Sequence, residues 1–137
     1  MKTRLNCIML IDDNKHDNFF HERVIRKADM AGTVIVQRKA LEALSYLKAT
    51  PHGTAEYPDL ILLDINMPGM NGWDFLEEFK QLEKEKRAPV VVMLTTSHNP
   101  DDETRARASG IVAGLRSKPL TAEMLEEVVA KYAIDKA

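Results

Sequence analysis

The stretch that decides the fold reads LILLD at Leu60–Asp64 and continues as INMPGMNG at Ile65–Gly72. An apolar run that ends at a carboxylate, and then at Pro and Gly, is typical of a central parallel strand with both faces covered, although a short buried helix has the same composition. In open α/β sheets, ligands bind beyond the carboxyl ends of such strands. Asp64 stands at that end and is therefore a candidate functional residue. The alternative is that it only caps the next turn.

Strand and helix patterns alternate along the whole chain. Apolar or β-branched runs predict strands at Cys7–Ile11, Thr33–Gln37, Leu60–Asp64, Val90–Leu94 and Gly114–Lys118. Apolar residues at helical spacing predict amphipathic helices between and after them, with the stripes Phe19, Phe20, Val24, Ile25 and Ala28 before a stop at Gly32; Ala40, Leu41, Leu44 and Leu47; Phe75, Leu76, Phe79 and Leu82; and Leu125, Val128, Val129 and Tyr132. Such alternation predicts a parallel sheet covered on both faces, with right-handed crossovers.

The fourth helical segment, Pro100–Ser109, differs from the others because it offers Ala106 and Ala108 but few large apolar residues. A helix there buries little surface, so we expect it to be among the least firmly held parts of the molecule. It is therefore the segment we expect to shift when the charge of a nearby site changes.

Length and composition indicate one compact domain. The chain has 137 residues, of which 45% are hydrophobic and 29% charged, ordinary values for a globular protein. A net charge of −2 gives no general attraction to nucleic acid, and no apolar run approaches the roughly 18 residues of a membrane span. The single Cys7 cannot form an intrachain disulfide. We therefore expect a cytoplasmic protein without nucleic-acid binding or membrane insertion.

Polar side chains stand at the ends of four predicted strands: the Asp12-Asp13 pair, Asp64, Thr95 and Lys118. The carboxyl ends of parallel strands share one edge of a sheet, so these groups are expected to meet there. Each has a simpler explanation, as a helix cap, a turn residue or a surface lysine. Four such coincidences at one edge are much less probable than one, and the set therefore indicates a functional site.

Three carboxylates brought close together repel one another, and burial without compensation would raise their pKa values. A divalent cation removes this conflict, and an all-oxygen ligand set favours Mg²⁺. A hydroxyl from Thr95 and an ammonium from Lys118 could bind the oxygens of a phosphoryl group attached to one carboxylate. The chemistry predicted from the residues is thus phosphoryl transfer to an aspartate.

With these motifs in view, the chain resembles a response-regulator receiver domain of bacterial two-component signalling, over nearly its whole length. The family's D-x-x-M-P-x-M-x-G run matches Asp64 through Gly72 without a gap. Its remaining motifs match the acidic pair Asp12 and Asp13, the hydroxyl residue Thr95, and the dipeptide Lys118-Pro119. The resemblance implies that Asp64 is the phosphoacceptor.

The resemblance also implies a fold and a ligand set. The fold would be the flavodoxin-like doubly wound α/β sheet of five parallel strands in the order 2-1-3-4-5 with five helices, forming a receiver domain over residues 5–134. Unlike many members of the family, we expect no separate output domain, because only nineteen residues follow Lys118. Mg²⁺ would be held by Asp13, Asp64 and the backbone carbonyl of Asn66, with Asp12 acting through water. The Lys118-Pro119 bond would be cis.

Two features of the sequence differ from, or compete with, the family pattern. The position three before the lysine is usually Tyr or Phe in the family and is Leu115 here, which puts switching by an aromatic rotamer in doubt. The four histidines, His16, His21, His52 and His98, stand on the first helix or in loops, where we expect them to be solvated rather than rival phosphoacceptors.

Three functions follow in order of preference. The first is a regulator that accepts phosphate from a histidine kinase or phosphotransfer protein and signals through a protein partner or a phosphorelay, with no conventional enzyme activity beyond its own phosphorylation and dephosphorylation. The second is an interaction module that no longer needs phosphorylation. The third is an aspartyl phosphatase, which would need a second acid where this chain has Asn66. A nucleotide-binding function is disfavoured because no glycine-rich phosphate loop follows any strand.

Overall fold

The computed structural model describes residues 5–97 and 99–133, except for the side chains of residues 132 and 133. His98 and the side chain of Tyr132 therefore lie outside the described part of the chain. Within it the strands are β1 (Leu5–Ile11), β2 (Ala31–Gln37), β3 (Leu60–Asp64), β4 (Val90–Thr95) and β5 (Val112–Ser117). The helices are α1 (Lys15–Ala28), α2 (Ala40–Ala49), α3 (Gly72–Phe79), α4 (Pro100–Ser109) and α5 (Ala122–Val128), with a 3₁₀ helix at Lys84–Arg87 and a π-helical turn at Val129–Ala133.

The sheet has five parallel strands in the order β2-β1-β3-β4-β5, which confirms the predicted flavodoxin-like topology. The strand β3 lies at its centre, and all five of its residues are buried. Burial on both faces explains why this strand is an unbroken apolar run rather than an alternating one. In the register of the sheet Ile11 lies opposite Leu63 and Asp64 lies opposite Leu94, so the three central strands end at the same level.

Two apolar layers cover the sheet. One joins α2, α3 and α4 to the face that carries Ile61 and Leu63. The other joins α1 and α5 to the face that carries Leu60 and Leu62. The alternation of these side chains along β3 is the ordinary two-residue period of a strand. Both layers leave the carboxyl edge of the sheet to loops, and this edge is where the candidate site lies.

The buried face of α1 differs from the predicted one. Phe19 is 65% exposed and Phe20 49% exposed, whereas the buried residues are Asn18, His21, Ile25 and Ala28. The predicted stripe was therefore wrong at Phe19 and Phe20, because the helix turns a partly polar face toward the site and the sheet, whereas Ile25 and Ala28 are buried as predicted. Its end was also misplaced: the left-handed residue that closes α1 is Asp29, with φ 53°, and Gly32 belongs to β2.

Smaller differences concern the other helices. Leu41 is 63% exposed, although the predicted stripe of α2 included it. Leu82 lies beyond the end of α3, where it still packs against the core. Thr121 caps α5 by accepting a hydrogen bond from the backbone N–H of Met124. The helical pattern thus located each helix but not which residues at its edges are buried.

The helix α4 has the weak anchoring that its sequence predicts. Ala106 is its one buried residue. The helix begins at the cap Asn99, whose side chain accepts from the backbone N–H of Asp101, and ends at the left-handed Gly110. A cation–π contact also connects α4 to α3, because the guanidinium of Arg105 lies 4.5 Å from the ring centroid of Trp73.

Among the residues that the structure describes, none of the helices is long and apolar enough to cross a membrane.

Candidate functional site

The predicted site residues meet at the carboxyl edge of the sheet. Asp12 and Asp13 follow β1, Asp64 ends β3, Thr95 ends β4, and Lys118 follows β5 by one residue. Asp12, Asp64 and Thr95 are buried, and Asp13 is partly buried. Asn66 lies in the next loop with an exposed side chain. The five strand-end residues therefore lie at one edge, as their pattern predicts, and Asn66, which the resemblance adds, lies in the adjoining loop.

The loop between β3 and α3 is shaped by its glycines. Gly69 has φ 74°, a left-handed conformation that Gly adopts without steric cost. Gly72 lies so close to β3 that a Cβ atom there would come within 2.7 Å of the backbone oxygen of Asp64. The cap of α3 then fixes the far end of the loop, because Asn71 and Asp74 each accept a hydrogen bond from the other's backbone N–H. The loop after Asp64 is thus held in place from both sides.

Asp12, Asp13 and Asp64 form a carboxylate cluster, with one oxygen from each lying within 4.8 Å of the others. Burial raises the pKa of Asp64 from 3.8 to about 6, and the neighbouring charge of Asp12 adds to this shift. Lys118 and a backbone hydrogen bond from Asn66 act in the opposite direction. A cluster that offers only oxygen ligands, and in which burial and a neighbouring charge disfavour the ionised form of Asp64, suits a hard divalent cation.

Lys118 joins the cluster as its cation. Its Nζ lies 2.7 Å from Asp12 Oδ2, 2.9 Å from Asp17 Oδ2 and 3.3 Å from Asp64 Oδ1. Burial acts to lower the pKa of Lys118, but hydrogen bonds to Asp12 and Asp17 raise it above its usual range. The side chain is only 7% exposed, so the ammonium is a fixed and permanent positive charge beside Asp64.

Thr95 and the loop that follows β5 complete the edge. The hydroxyl of Thr95 donates to the backbone oxygen of Ser97 at 3.0 Å and accepts from the Ser97 N–H at 3.1 Å. The peptide bond between Lys118 and Pro119 is cis, as the resemblance implies. Leu115 lies opposite Met93 in the register and packs partly buried against the α3 side of the core. The position that usually holds Tyr or Phe in the family is thus occupied by an aliphatic side chain, which has no aromatic ring to change rotamer.

Three residues of α1 reach the site and were not predicted from the sequence. Asp17 binds Lys118, Asn18 donates to the backbone oxygen of Asp12 at 2.7 Å, and His21 Nε2 accepts from the backbone N–H of Leu120 at 3.2 Å. Asn18 and Asp17 precede His21 by three and four positions, which places each of them beside His21 on one side of the helix. A sequence signal therefore existed, but the apolar residues Phe19 and Phe20 between them hid it.

His21 corrects a second expectation, since it is buried rather than solvated. Burial lowers its pKa, and the nearby charge of Lys118 lowers it further. A neutral imidazole can accept the Leu120 N–H, which a doubly protonated ring could not. His16 and His52 are exposed, in agreement with the prediction.

Comparison with protein families and curated proteins gives a consistent result. A family model for the response regulator receiver domain matches residues 8–130. The response regulator Rcp1 of Synechocystis is 40% identical over 96 residues, which cover 69% of this chain and 65% of Rcp1. The probable methanogenesis regulatory protein FilR2 of Methanothrix harundinacea is 33% identical over 122 residues, which cover 89% of this chain and 77% of FilR2. The chain therefore matches slightly less than two thirds of Rcp1's length.

Solved structures agree with the topology. A two-component response regulator from Cytophaga hutchinsonii superposes with a TM-score of 0.86 at 32% identity, covering 93% of this chain and 96% of the other. The Mn²⁺-bound form of Rcp1 gives 0.72 at 30% identity, with 93% and 94% covered. The phosphorylated cyanobacterial phytochrome response regulator RcpA gives 0.74 at 29% identity, with 97% and 96% covered.

Proposed function

Because the chain belongs to the response regulator receiver domain family, we propose that it accepts a phosphoryl group at Asp64 in two-component signalling. The observation that carries the proposal is the site itself: a buried carboxylate lies among two further carboxylates and 3.3 Å from the ammonium of Lys118. Receiver domains interact with histidine kinases or phosphotransfer proteins, and we place the donor of the phosphoryl group in that class.

The residues present fit a divalent cation. The cluster of Asp12, Asp13 and Asp64 offers only oxygen donors, which is the set that Mg²⁺ prefers. We assign Asp13, Asp64 and the backbone carbonyl of Asn66 as the residues that hold the ion, with Asp12 acting through water. Bound there, Mg²⁺ would neutralise charge on the phosphoryl oxygens. The Mn²⁺-bound structure of Rcp1 supports a divalent cation in a related protein.

The transfer uses the Asp64 carboxylate as the nucleophile. One carboxylate oxygen attacks phosphorus, an O–P bond forms, and the P–N bond of a phosphohistidine breaks. The electron pair of that bond leaves with the imidazole nitrogen, which takes up a proton. A pKa of about 6 leaves Asp64 mostly ionised at neutral pH, as a nucleophile must be. Existence of a phosphorylated form of RcpA supports such a state in a related protein.

Lys118 and Thr95 bind the phosphoryl group once it is attached to Asp64. The ammonium of Lys118 lies beside Asp64 and donates to the new phosphoryl oxygens. The hydroxyl of Thr95 leaves its bond to the Ser97 carbonyl and donates to the same group. We infer that this movement alters the following loop and α4, and that a protein partner binds the face formed by α4, β5 and α5. A cytoplasmic location fits this role and stays a prediction.

Intact-mass measurement after incubation with Mg²⁺ and acetyl phosphate tests the proposal. We expect a phosphate-sized mass increase that maps to Asp64. The near-isosteric variant Asp64→Asn should fold and show no increase, and Lys118→Ala should accumulate less phosphorylated protein, because it removes a cation beside the phosphoryl oxygens.

Equal labelling of Asp64→Asn and the unmodified chain would show that the acceptor is another residue. No mass increase in the unmodified chain, under conditions where a receiver domain of known activity is labelled, would favour an interaction module that works without phosphorylation. An aspartyl phosphatase is the less favoured enzyme alternative, since the second position after Asp64 is Asn66 rather than an acid.

A further inference from the structure

Lys118 is shared among three carboxylates, and the phosphoacceptor is the most distant of them. Its Nζ donates to Asp12 at 2.7 Å and to Asp17 at 2.9 Å, and it lies 3.3 Å from Asp64. A lysine ammonium has three N–H donors, so two of them are committed to residues other than the acceptor. Asp17 is therefore, beside Asp12, a second counter-ion that is not the acceptor and that binds Lys118, the lysine that we assign to the phosphoryl group.

The position of Asp17 is fixed by its helix. Asn14 caps α1 and accepts a hydrogen bond from the backbone N–H of Asp17. One residue later Asn18 binds the backbone oxygen of Asp12, and a turn later His21 binds the backbone of Leu120. These buried contacts hold the first turns of α1 against both the acidic pair and the loop that carries Lys118. The carboxylate of Asp17 is thus aimed at the ammonium by the surrounding structure.

The bond to Asp17 differs from the bond to Asp12. Asp12 is nearly buried, with a side chain 6% exposed, and its second oxygen accepts from the backbone N–H of Asn14 at 2.9 Å. Asp17 is 34% exposed, so water can replace the lysine as its partner. When a phosphoryl group adds negative charge beside Lys118, the bond to Asp17 is the one that is least costly to break.

We propose that Asp17 is a positioning residue that competes with the phosphoryl group for Lys118, and thereby sets how readily Asp64 is phosphorylated. The inference rests on the proposed function and deepens it. While the bond to Asp17 is intact, it withholds one N–H donor and part of the positive charge from the transfer. Removal of the carboxylate frees both for the incoming phosphoryl oxygens.

The test compares phosphorylation rates of Asp17→Asn and Glu22→Gln with acetyl phosphate at saturating Mg²⁺. Glu22 is a matched control, since it lies on the same helix, is 33% exposed and binds Arg26 rather than Lys118. Each substitution removes one negative charge from α1. We expect Asp17→Asn to be phosphorylated about two- to tenfold faster than the unmodified chain and Glu22→Gln to be unchanged. Equal acceleration by both variants would overturn the proposal in favour of a general charge effect.

Two further variants separate positioning from a structural role. Asp17→Glu restores a carboxylate and should return the rate toward that of the unmodified chain. In a Lys118→Ala background, Asp17→Asn should no longer change the rate, because the partner is gone. The same acceleration with and without Lys118, or none in its presence while Asp64 is labelled normally, would refute the role of Asp17 alone. Absence of any labelling of Asp64 in the unmodified chain would instead refute the proposed function, and this inference with it.

Discussion

Asp64 is held in a charged form at a cost to stability, and this cost depends on pH. Its pKa is raised from 3.8 to about 6, so between these values the folded protein holds a proton that the unfolded chain has lost. The contribution of this carboxyl group to stability is therefore full below about pH 4 and is lost as the pH rises through about 6. At neutral pH the ionised Asp64 therefore lowers the free energy of unfolding, unless a bound cation compensates its charge.

We predict that Asp64→Asn stabilises the metal-free protein by about 1 to 3 kcal/mol at about pH 8, and by much less at about pH 4. Urea unfolding in the presence of EDTA at both pH values measures the difference. Glu78→Gln, an exposed position on α3, should change stability by less than about 0.5 kcal/mol. A gain that is the same at both pH values would show that titration of Asp64 is not its cause.

Asp13 differs from Asp12 because Lys118 does not neutralise it, while the structure gives Asp12 both a lysine and a backbone partner. We therefore predict that Asp13→Asn weakens Mg²⁺ binding by roughly tenfold or more. Emission of Trp73 provides the measurement, since this buried ring follows Gly72, which packs against the backbone of Asp64. Glu78→Gln should bind Mg²⁺ as the unmodified chain does. Unchanged affinity in Asp13→Asn would remove Asp13 from the site.

At the scale of elements, α1 shows how a helix can be located correctly while part of its buried face is predicted wrongly. The apolar residues Phe19 and Phe20 dominate its pattern, yet its buried face holds Asn18, His21 and Ile25. Asn18 donates to the backbone oxygen of Asp12, and His21 accepts from the backbone N–H of Leu120, which offsets part of the cost of burying them. Within the described residues, the buried Oδ1 of Asn18 has no hydrogen-bond partner. The helix therefore leaves Phe19 and Phe20 largely outside the core and uses its buried face partly for contacts with the site.

We predict that Ile25→Ala destabilises the protein by about 2 to 5 kcal/mol, because it opens a cavity between α1 and the sheet. Phe20→Ala, on the same helix, should cost clearly less, about 1 kcal/mol, because the ring is already 49% exposed and its aromatic contact is an edge contact with His21. Urea denaturation of the two variants measures both values. A loss of stability for Phe20→Ala as large as that for Ile25→Ala would show that Phe20 is packed in the core, as the sequence pattern predicted.

At the scale of the whole molecule, the sheet places a rigid centre beside a weakly anchored edge. The central β3 is buried throughout. The helix α4, in contrast, contributes one buried residue and contacts Trp73 through the guanidinium of Arg105. A new charge at Asp64 therefore meets a site whose near neighbours are fixed and whose outer helix is free to respond. About 5.5 kcal/mol moves a two-state element from 1:99 to 99:1, and a few charge-assisted hydrogen bonds are of that order.

We predict that beryllofluoride, which mimics an acyl phosphate, changes hydrogen exchange in the segment from Thr95 to Leu115 as well as around the carboxylate cluster. Exchange measured with and without the mimic, at fixed Mg²⁺, tests this, and Asp64→Asn provides the control without an acceptor. The amides of β3 should keep their protection in both states. Changes confined to Asp12, Asp13 and Asp64 would mean that α4 does not carry the response.

The sequence by itself determined the parallel α/β class and which polar residues meet at the carboxyl edge of the sheet, and its resemblance to a known family implied the strand order. Apolar runs, turn residues and strand-end carboxylates are local signals, and the shared edge of a parallel sheet converts them into a cluster without further information. The strand-end pattern therefore predicts that Asp12, Asp13, Asp64, Thr95 and Lys118 lie together.

Only the tertiary structure decided which face of α1 is buried and how Lys118 divides its donors. The bond from Lys118 to Asp17 joins residues 101 positions apart, and that from Leu120 to His21 joins residues 99 apart. No local pattern encodes such a pair, because its geometry depends on how α1 and the loop after β5 pack against the same sheet edge. Helix orientation is likewise a balance between exposed aromatic rings and satisfied polar contacts, and that balance is settled only when the neighbouring elements are in place.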